Sequence, residues 1–395
     1  MTDSAPIYMD HAATAPLDPR IAEVMCACLR DPALQGNPAS AHAAGRAAAM
    51  RIEQARAQVA HLIGAPPESI VFTSGATESV NLAILGAARA AGGAMRHVVT
   101  ARTEHRAARD ACRQLEREGF TVCWLAPGSD GRVDPAQVAG ALRPDTALVS
   151  LMHGNNETGV VNDIAAVGRL CLERNVCLHV DAAQSAGKLA IDVDEIGAGL
   201  LSFCAHKLGG PKGVGALYLR NHPRPALQPL LFGGGHERGL RPGSLATHQI
   251  VGFGVACELA REGLAGDAAR IRALRERLWS GLQAAAPVLR NGAPDPSLPG
   301  ILNVHFPGLE GESLLLSLDG ALAASSGSAC SSATAEPSYV LRSLGLSDLA
   351  VQASLRLSLG RDTTADQVDR AAGLLVASVR RLRALLPTGA IERIA

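Results

Sequence analysis

The sequence predicts an α/β fold in which a large domain, built on a mainly parallel sheet flanked by helices, stands beside a smaller α+β domain. Three observations carry this expectation. From Ile70 to Leu219 short runs of β-formers alternate with helical patterns, the signature of right-handed βαβ units. Two of those runs, Val176-Cys177-Leu178-His179-Val180 and Leu200-Leu201-Ser202-Phe203-Cys204, read as buried parallel strands, and each leads into a polar loop. After Gly263 the grain changes to an α+β pattern, so the large domain is expected over residues 15–262 and the small one over 1–14 and 263–395.

In chain order, the pattern predicts strands at 70–73, 97–101, 121–125 and 146–152, each a short apolar run rich in Val, Ile, Thr or aromatic residues. Between them, helices are expected from Thr77, through Leu115 and over 163–173, where apolar residues recur at helical spacing. Beyond Gly263 an amphipathic stretch over 267–282 reads as a helix and is followed by a Pro- and Gly-rich loop over 287–300. Strands at 301–306, 321–324 and 354–358 then alternate with helices from Glu312, Pro337 and Thr364. No internal repeat or low-complexity tract interrupts the chain.

Composition narrows the function. The 395 residues are 47% hydrophobic and 19% charged, which excludes disorder, and 37 basic residues balance 37 acidic ones, which leaves no electrostatic footprint for nucleic acid or an anionic membrane. A small-molecule substrate is favoured. No charged leader with an apolar core begins the chain and no apolar run approaches bilayer length, so a cytoplasmic location is expected. The nine cysteines lack C-x-x-C pairs and most read as buried small hydrophobes, without a disulfide framework or a metal site. Cys26-Ala27-Cys28 is too tight for a structural zinc pair and has no second pair to complete it.

The candidate chemistry lies where predicted strands end. In open α/β sheets ligands bind outside the carboxyl ends of the strands, which brings Asp181 and Gln184 from one loop to His206 and Lys207 from the next. One lysine able to form a Schiff base and one carboxylate able to hold a ring nitrogen protonated are what pyridoxal phosphate requires. The chain has three lysines against 34 arginines. Lys188 reads as an exposed turn residue and Lys212 sits in a Gly-Pro-Lys-Gly turn, which leaves Lys207 the best placed. Thr73-Ser74-Gly75-Ala76-Thr77-Glu78-Ser79 follows a strand and opens a helix, so its free N–H groups suit the cofactor phosphate. Thr103-Glu104-His105 places an imidazole at the same edge, fit for stacking on a ring and for moving protons near neutral pH. Asn155-Asn156-Glu157 offers an amide to a ring oxygen, and the Gly-rich segments at 233–239 and 241–244 offer donors to a phosphate. Ser326-Gly327-Ser328-Ala329-Cys330 is the remaining signal: a cysteine in a small, polar segment, available as a nucleophile once deprotonated.

Taken together, Gly36-Asn37-Pro38, the Thr73–Ser79 turn, Thr103-Glu104-His105, Asn155-Asn156-Glu157, His179-Val180-Asp181-Ala182-Ala183-Gln184, His206-Lys207, Gly234-Gly235-His236-Glu237-Arg238-Gly239, the Cys330 segment, Glu336-Pro337-Ser338 and Arg356-Leu357-Ser358 closely resemble the NifS/IscS-like cysteine desulfurases, from Tyr8 to about Leu385. The resemblance implies a fold-type-I homodimer of the class V aminotransferase group that uses pyridoxal 5'-phosphate to convert L-cysteine to L-alanine, leaving sulfur as a persulfide on Cys330. A sulfur-acceptor or scaffold protein then receives it, for iron–sulfur clusters or another sulfur-containing product. Carried over by position, Lys207 is the Schiff-base lysine, Asp181 pairs with the ring nitrogen, and Gln184 and Asn156 address the ring oxygen. His105 stacks on the ring and serves in proton transfer, and Ala76, Thr77, Cys204 and His206 contact the phosphate, with Ser244 reaching it from the other subunit. Arg356, with Asn156, binds the substrate, its fork matching the carboxylate. Cys204 stands where many members carry serine, so one phosphate hydrogen bond is weaker here. Selenocysteine lyases and other fold-type-I lyases or aminotransferases share the cofactor residues, and Cys330 is what separates the readings.

Overall fold

The computed structural model describes residues 6–326 and 337–386. A short strand β1 (Ile7–Tyr8) and two helices, α1 (Pro19–Arg30) and α2 (Ala43–His61), precede the alternating region. That region runs β2 (Ile70–Thr73), α3 (Ala76–Ala90), β3 (His97–Ala101), α4 (Arg106–Arg117), β4 (Thr121–Leu125), α5 (Pro135–Ala141), β5 (Thr146–Met152), α6 (Ile164–Glu173), β6 (Cys177–Asp181), β7 (Leu200–Cys204) and β8 (Gly215–Leu219). These strands form one seven-stranded sheet in the order β2-β8-β7-β6-β5-β3-β4, parallel except for β8, which runs against both its neighbours.

Alternation within the strands explains why the sheet is covered on both sides. Ile70 and Phe72 of β2 join one core, while Val71 joins another. The same division holds in β7, where Leu201 and Phe203 face α2 and the helix after the sheet, and Leu200 faces α3 and α4. A continuous apolar run is what a parallel strand needs when neither face meets water.

The next helix, α7 (Thr247–Leu282), is longer than the pattern predicts. Its 36 residues span about 54 Å at 1.5 Å per residue. Gly252, Gly254, Gly263 and Gly266 break the helical signal over its first half, which is why only 267–282 is legible in the sequence. Gly254 is demanded by packing: a Cβ there would approach Ala55 Cα of α2 to 2.8 Å. The first half of α7 buries Ile250, Phe253 and Cys257 in the sheet core, and the second half buries Leu274, Leu278 and Leu282 in a different one. The expected boundary at residue 262 falls inside this helix.

That other core belongs to a four-stranded antiparallel sheet. It combines β9 (Leu289–Arg290), β10 (Ile301–His305), β12 (Ser325–Ser326) and β13 (Ser354–Ser358) in the order β12-β13-β10-β9, while β11 (Leu322–Ala323) pairs with β1. Helices α8 (Gly311–Leu316), α9 (Tyr339–Ser343), α10 (Asp348–Gln352) and α11 (Ala365–Ala384) complete it. The helix expected from Pro337 begins two residues later, because the Ser338 side chain caps it by accepting from the Leu341 N–H. Among the described residues no helix is long and apolar enough to cross a membrane, and no cluster of three metal-ligating side chains occurs.

Candidate active site

The carboxyl ends of β5, β6 and β7, the start of α3 and Arg356 of β13 enclose a cavity of about 580 Å³. Ala76, Thr77, His105, Asn156, Asp181, Gln184, Cys204, His206, Lys207 and Arg356 all line it, so residues scattered over 280 positions of sequence share one space. Ser244 is exposed on the loop before α7 and does not line the cavity of its own chain, and Cys330 lies outside the described residues.

Lys207 closes the 3-10 turn Ala205–Lys207 directly after β7, and its Nζ donates to Ala12 O and, at 2.7 Å, to Ala13 O. The segment between β1 and α1 therefore forms the wall opposite the sheet. His206 faces the same segment, its Nδ1 3.2 Å from Thr14 Oγ1. Burial, with Lys207, Lys212 and Lys188 adding positive charge, pulls the His206 imidazole down to about 4, so it is neutral at physiological pH.

Asp181 is the last residue of β6, and its Oδ1 accepts from the Ala183 N–H at 2.9 Å. His105 caps α4: its Nδ1 accepts from the Ala107 N–H at 3.1 Å, which assigns the ring proton of the neutral form to Nε2. Burial raises the Asp181 carboxyl and lowers the His105 imidazole, while each one's charge works against the shift of the other. They titrate as a pair.

The Thr73–Ser79 turn opens helix α3 at the edge of the cavity. Helix α3 starts after Gly75 with no side-chain cap, and Glu78 reaches back to accept the Ser74 N–H at 2.7 Å. The turn lies against β8 only because residue 215 is glycine, since a Cβ there would meet Gly75 Cα at 2.7 Å. Cys204 adds a buried thiol, pushed up by burial and so held neutral.

Arg356 is 3% exposed and held on three sides. Nη1 donates to Asn156 O at 3.0 Å, and Nη2 donates to Asp10 Oδ1 at 2.8 Å and to Ser325 Oγ at 3.1 Å. Among the described residues its Nε–H has no hydrogen-bond partner. Asp10, unassigned in the sequence, is thus the counter-ion that orients Arg356. No local signal marks it, because its partner lies 346 residues away.

Two further groups escaped the sequence. Glu104 is fully buried and accepts the Met152 N–H at 3.0 Å through Oε1, while Oε2 has no hydrogen-bond partner among the described residues. Burial raises its pKa far above the usual carboxylate range, so it is a neutral acid that ties the turn before His105 to the end of β5. Glu157, raised to about 7 by burial, accepts the Ser338 hydroxyl at 2.5 Å and so links the Asn156 loop to the cap of α9.

Lys188 corrects an expectation. It is half-buried rather than exposed, and its Nζ donates to Gln184 Oε1 at 3.2 Å. Gly187, at φ +67°, makes the tight turn that points it inward, and the side chain lines a second cavity of about 80 Å³ shared with His11, Asp18 and Lys207.

The donor set fits pyridoxal phosphate. A lysine stands at a strand end, a buried carboxylate faces the same space, a helix N-terminus lacks a side-chain cap, and the cavity has the volume of a cofactor site.

Comparison with known proteins agrees with this chemistry. The family model described as Aminotransferase class-V matches residues 7–371. Cysteine desulfurase IscS of Aeromonas hydrophila is 54% identical over 383 residues, covering 97% of this chain and 95% of its own. The protein of the same name from Klebsiella pneumoniae is 52% identical over the same length and coverage. Among solved structures, a NifS-like protein superposes with a TM-score of 0.88 at 34% identity, covering 97% of this chain and all of its own. SspA in complex with cysteine gives 0.80 at 37% identity, covering 89% and 98%.

Proposed function

The chain belongs to the aminotransferase class-V family, and from that premise we propose that it is a pyridoxal-phosphate-dependent cysteine desulfurase, taking sulfur from L-cysteine and leaving L-alanine. The observation that carries the reading is the single cavity in which Lys207, Asp181 and His105 face Arg356.

Bound at Lys207, the cofactor supplies an electron sink for the substrate α-carbon. Asp181, buried at the end of β6, keeps the ring nitrogen protonated. Ala76, Thr77, Cys204 and His206 hold the phosphate, with Ser244 of a second copy completing that site in a homodimer. Gln184 and Asn156 address the ring oxygen. The amine of Lys207 and Nε2 of His105 are the groups placed to move protons. Arg356 keeps N–H groups for the substrate carboxylate because Asp10 and Asn156 fix its plane. The Cys330 thiolate attacks the substrate sulfur: an S–S bond forms as the Cβ–S bond breaks, the electron pair stays on carbon, and Cβ takes a proton. An acceptor protein then receives the persulfide sulfur, for iron–sulfur clusters or another sulfur-containing product. The proposal places the protein in the cytoplasm and treats residues 15–262 as the cofactor domain, with 1–14 and 263–395 as the domain that brings Cys330 to it.

A single turnover tests the reading. With L-cysteine and no reductant, alanine forms and mass mapping finds one added sulfur on Cys330, which Cys330→Ser loses. Retained cofactor without alanine from cysteine would mean that the substrate is another. At the carboxylate site, Arg356→Lys is expected to lower kcat/KM for cysteine by about 10- to 100-fold, mainly through KM, because an ammonium cannot reproduce the fork. Steady-state kinetics check it.

A further inference from the structure

Gln184 can serve the cofactor as a donor or as an acceptor, depending on which way its amide faces, and the two ends of a glutamine amide are distinguished only by their partners. Both partners are present. Nε2 donates to Ala12 O at 2.8 Å, and Oε1 accepts from Lys188 Nζ at 3.2 Å. Ala12 O is also the carbonyl to which Lys207 Nζ donates, so the amide nitrogen of Gln184 and the Lys207 amine meet at one oxygen on the cavity wall. Lys188 sits behind this arrangement, in the second cavity, and does not line the cofactor cavity.

We infer that Lys188 is a positioning residue, which by occupying Oε1 of Gln184 holds the amide with its N–H groups toward Lys207 and makes Gln184 an obligate donor to the bound cofactor. An ammonium has only donors to offer, so Oε1 must face it, and a neutral amine still presents N–H groups to that oxygen. The turn geometry leaves the lysine little alternative. A Cβ at Gly187 would strike Leu208 Cδ2 at 2.6 Å and Ala260 Cβ at 2.9 Å, so the backbone before Lys188 is pinned against the sheet core. Lys188 shares its cavity with His11, Asp18, Lys207, Asp267, Arg361 and Asp362, and lies within electrostatic reach of Cys204 and Arg356. Burial and the Lys207 charge together lower it to about 7. A lysine held at that cost, with one side-chain hydrogen bond to a residue of the site, has Gln184 as its evident task.

The inference rests on the cofactor reading, and its test separates the two. The protein, Lys188→Met, Lys188→Arg, Gln184→Met and the Lys188→Met/Gln184→Met double variant are reconstituted with pyridoxal phosphate, and the visible band of each is titrated with pH. If the unmodified protein acquires no band, the cofactor reading fails. If it does, Lys188→Met is expected to raise the pH at which the band titrates by about half to one unit, because the cofactor oxygen loses a fixed donor, and to weaken cofactor binding about fivefold. Lys188→Arg, again a donor-only side chain, restores the titration of the unmodified protein. In the Gln184→Met background Lys188→Met adds nothing. A full shift in that background would show that the lysine acts by its charge and overturn the positioning role, as would an unshifted band in Lys188→Met alone.

Discussion

Lys207→Ala is expected to lose alanine formation by about 10⁴-fold or more and to release its cofactor on dialysis. The size follows from two duties that one side chain combines, attachment of the cofactor and proton transfer at the substrate α-carbon, each worth orders of magnitude. No neighbouring lysine substitutes. Lys188 Nζ is engaged by Gln184 behind the site, and Lys212 lines the cavity from a separate turn. The check is the visible absorption of the protein before and after dialysis, together with alanine yield from cysteine. Lys212→Ala serves as the comparison and keeps a band that survives dialysis. A dialysis-resistant band in Lys207→Ala would move the attachment point elsewhere.

The largest stability effect is expected at Glu237. Its carboxylate accepts both Nη groups of Arg56 at 2.8 Å and the Phe72 N–H of β2 at 2.7 Å, with the two side chains 3% and 10% exposed. Burial opposes the Arg56 charge, and the hydrogen bonds and charge of Glu237 overcome it, leaving the guanidinium above its ordinary pKa. Glu237→Ala leaves that guanidinium only the exposed Glu53 carboxylate and Ile70 O, and strands the Phe72 N–H, at a cost of about 3 kcal/mol. Glu237 and Arg238 stand at φ +47° and +59°, a region that side chains other than glycine rarely adopt, so the ion pair also holds the Gly-rich loop in a conformation it would otherwise leave. Arg241 of the same loop pairs with Glu78 at 3.0 Å, and Glu78 accepts the Ser74 N–H of the anion-binding turn. Urea denaturation measures the loss. The double variant Arg56→Met/Glu237→Met is expected to cost less than Glu237→Ala alone, since both charges leave together. If it costs more, the pair contributes beyond the mutual compensation of two buried ions.

The parallel sheet and the residues gathered at its carboxyl edge were legible in the sequence because both obey local rules. β2, β3, β5 and β7 follow the apolar runs residue for residue, since a strand buried on both faces must be apolar along its length, and the partly buried edge strand β4 follows its run of β-formers. Asp181, His105 and Lys207 each stand at or just past the end of such a run, and parallel strands deliver their carboxyl ends to one edge. The antiparallel β8 and the first half of α7 were not legible. A strand's direction leaves no trace in its composition, and glycines needed for close helix packing look, in sequence, like breaks.

By itself, then, the sequence determined where the parallel strands after Ile70 lie, which lysine and carboxylate stand at their carboxyl ends, and the chemistry such a pair supports. The tertiary structure alone decided which distant groups complete the site: Asp10 against Arg356, Ser338 on Glu157, Lys188 behind Gln184, Arg56 under Glu237. The reason is physical. A strand or a turn is stabilised by neighbours in sequence and leaves a periodic pattern, whereas a buried charge is stabilised by whichever opposite group the packing brings within about 3 Å, and no periodicity records that meeting.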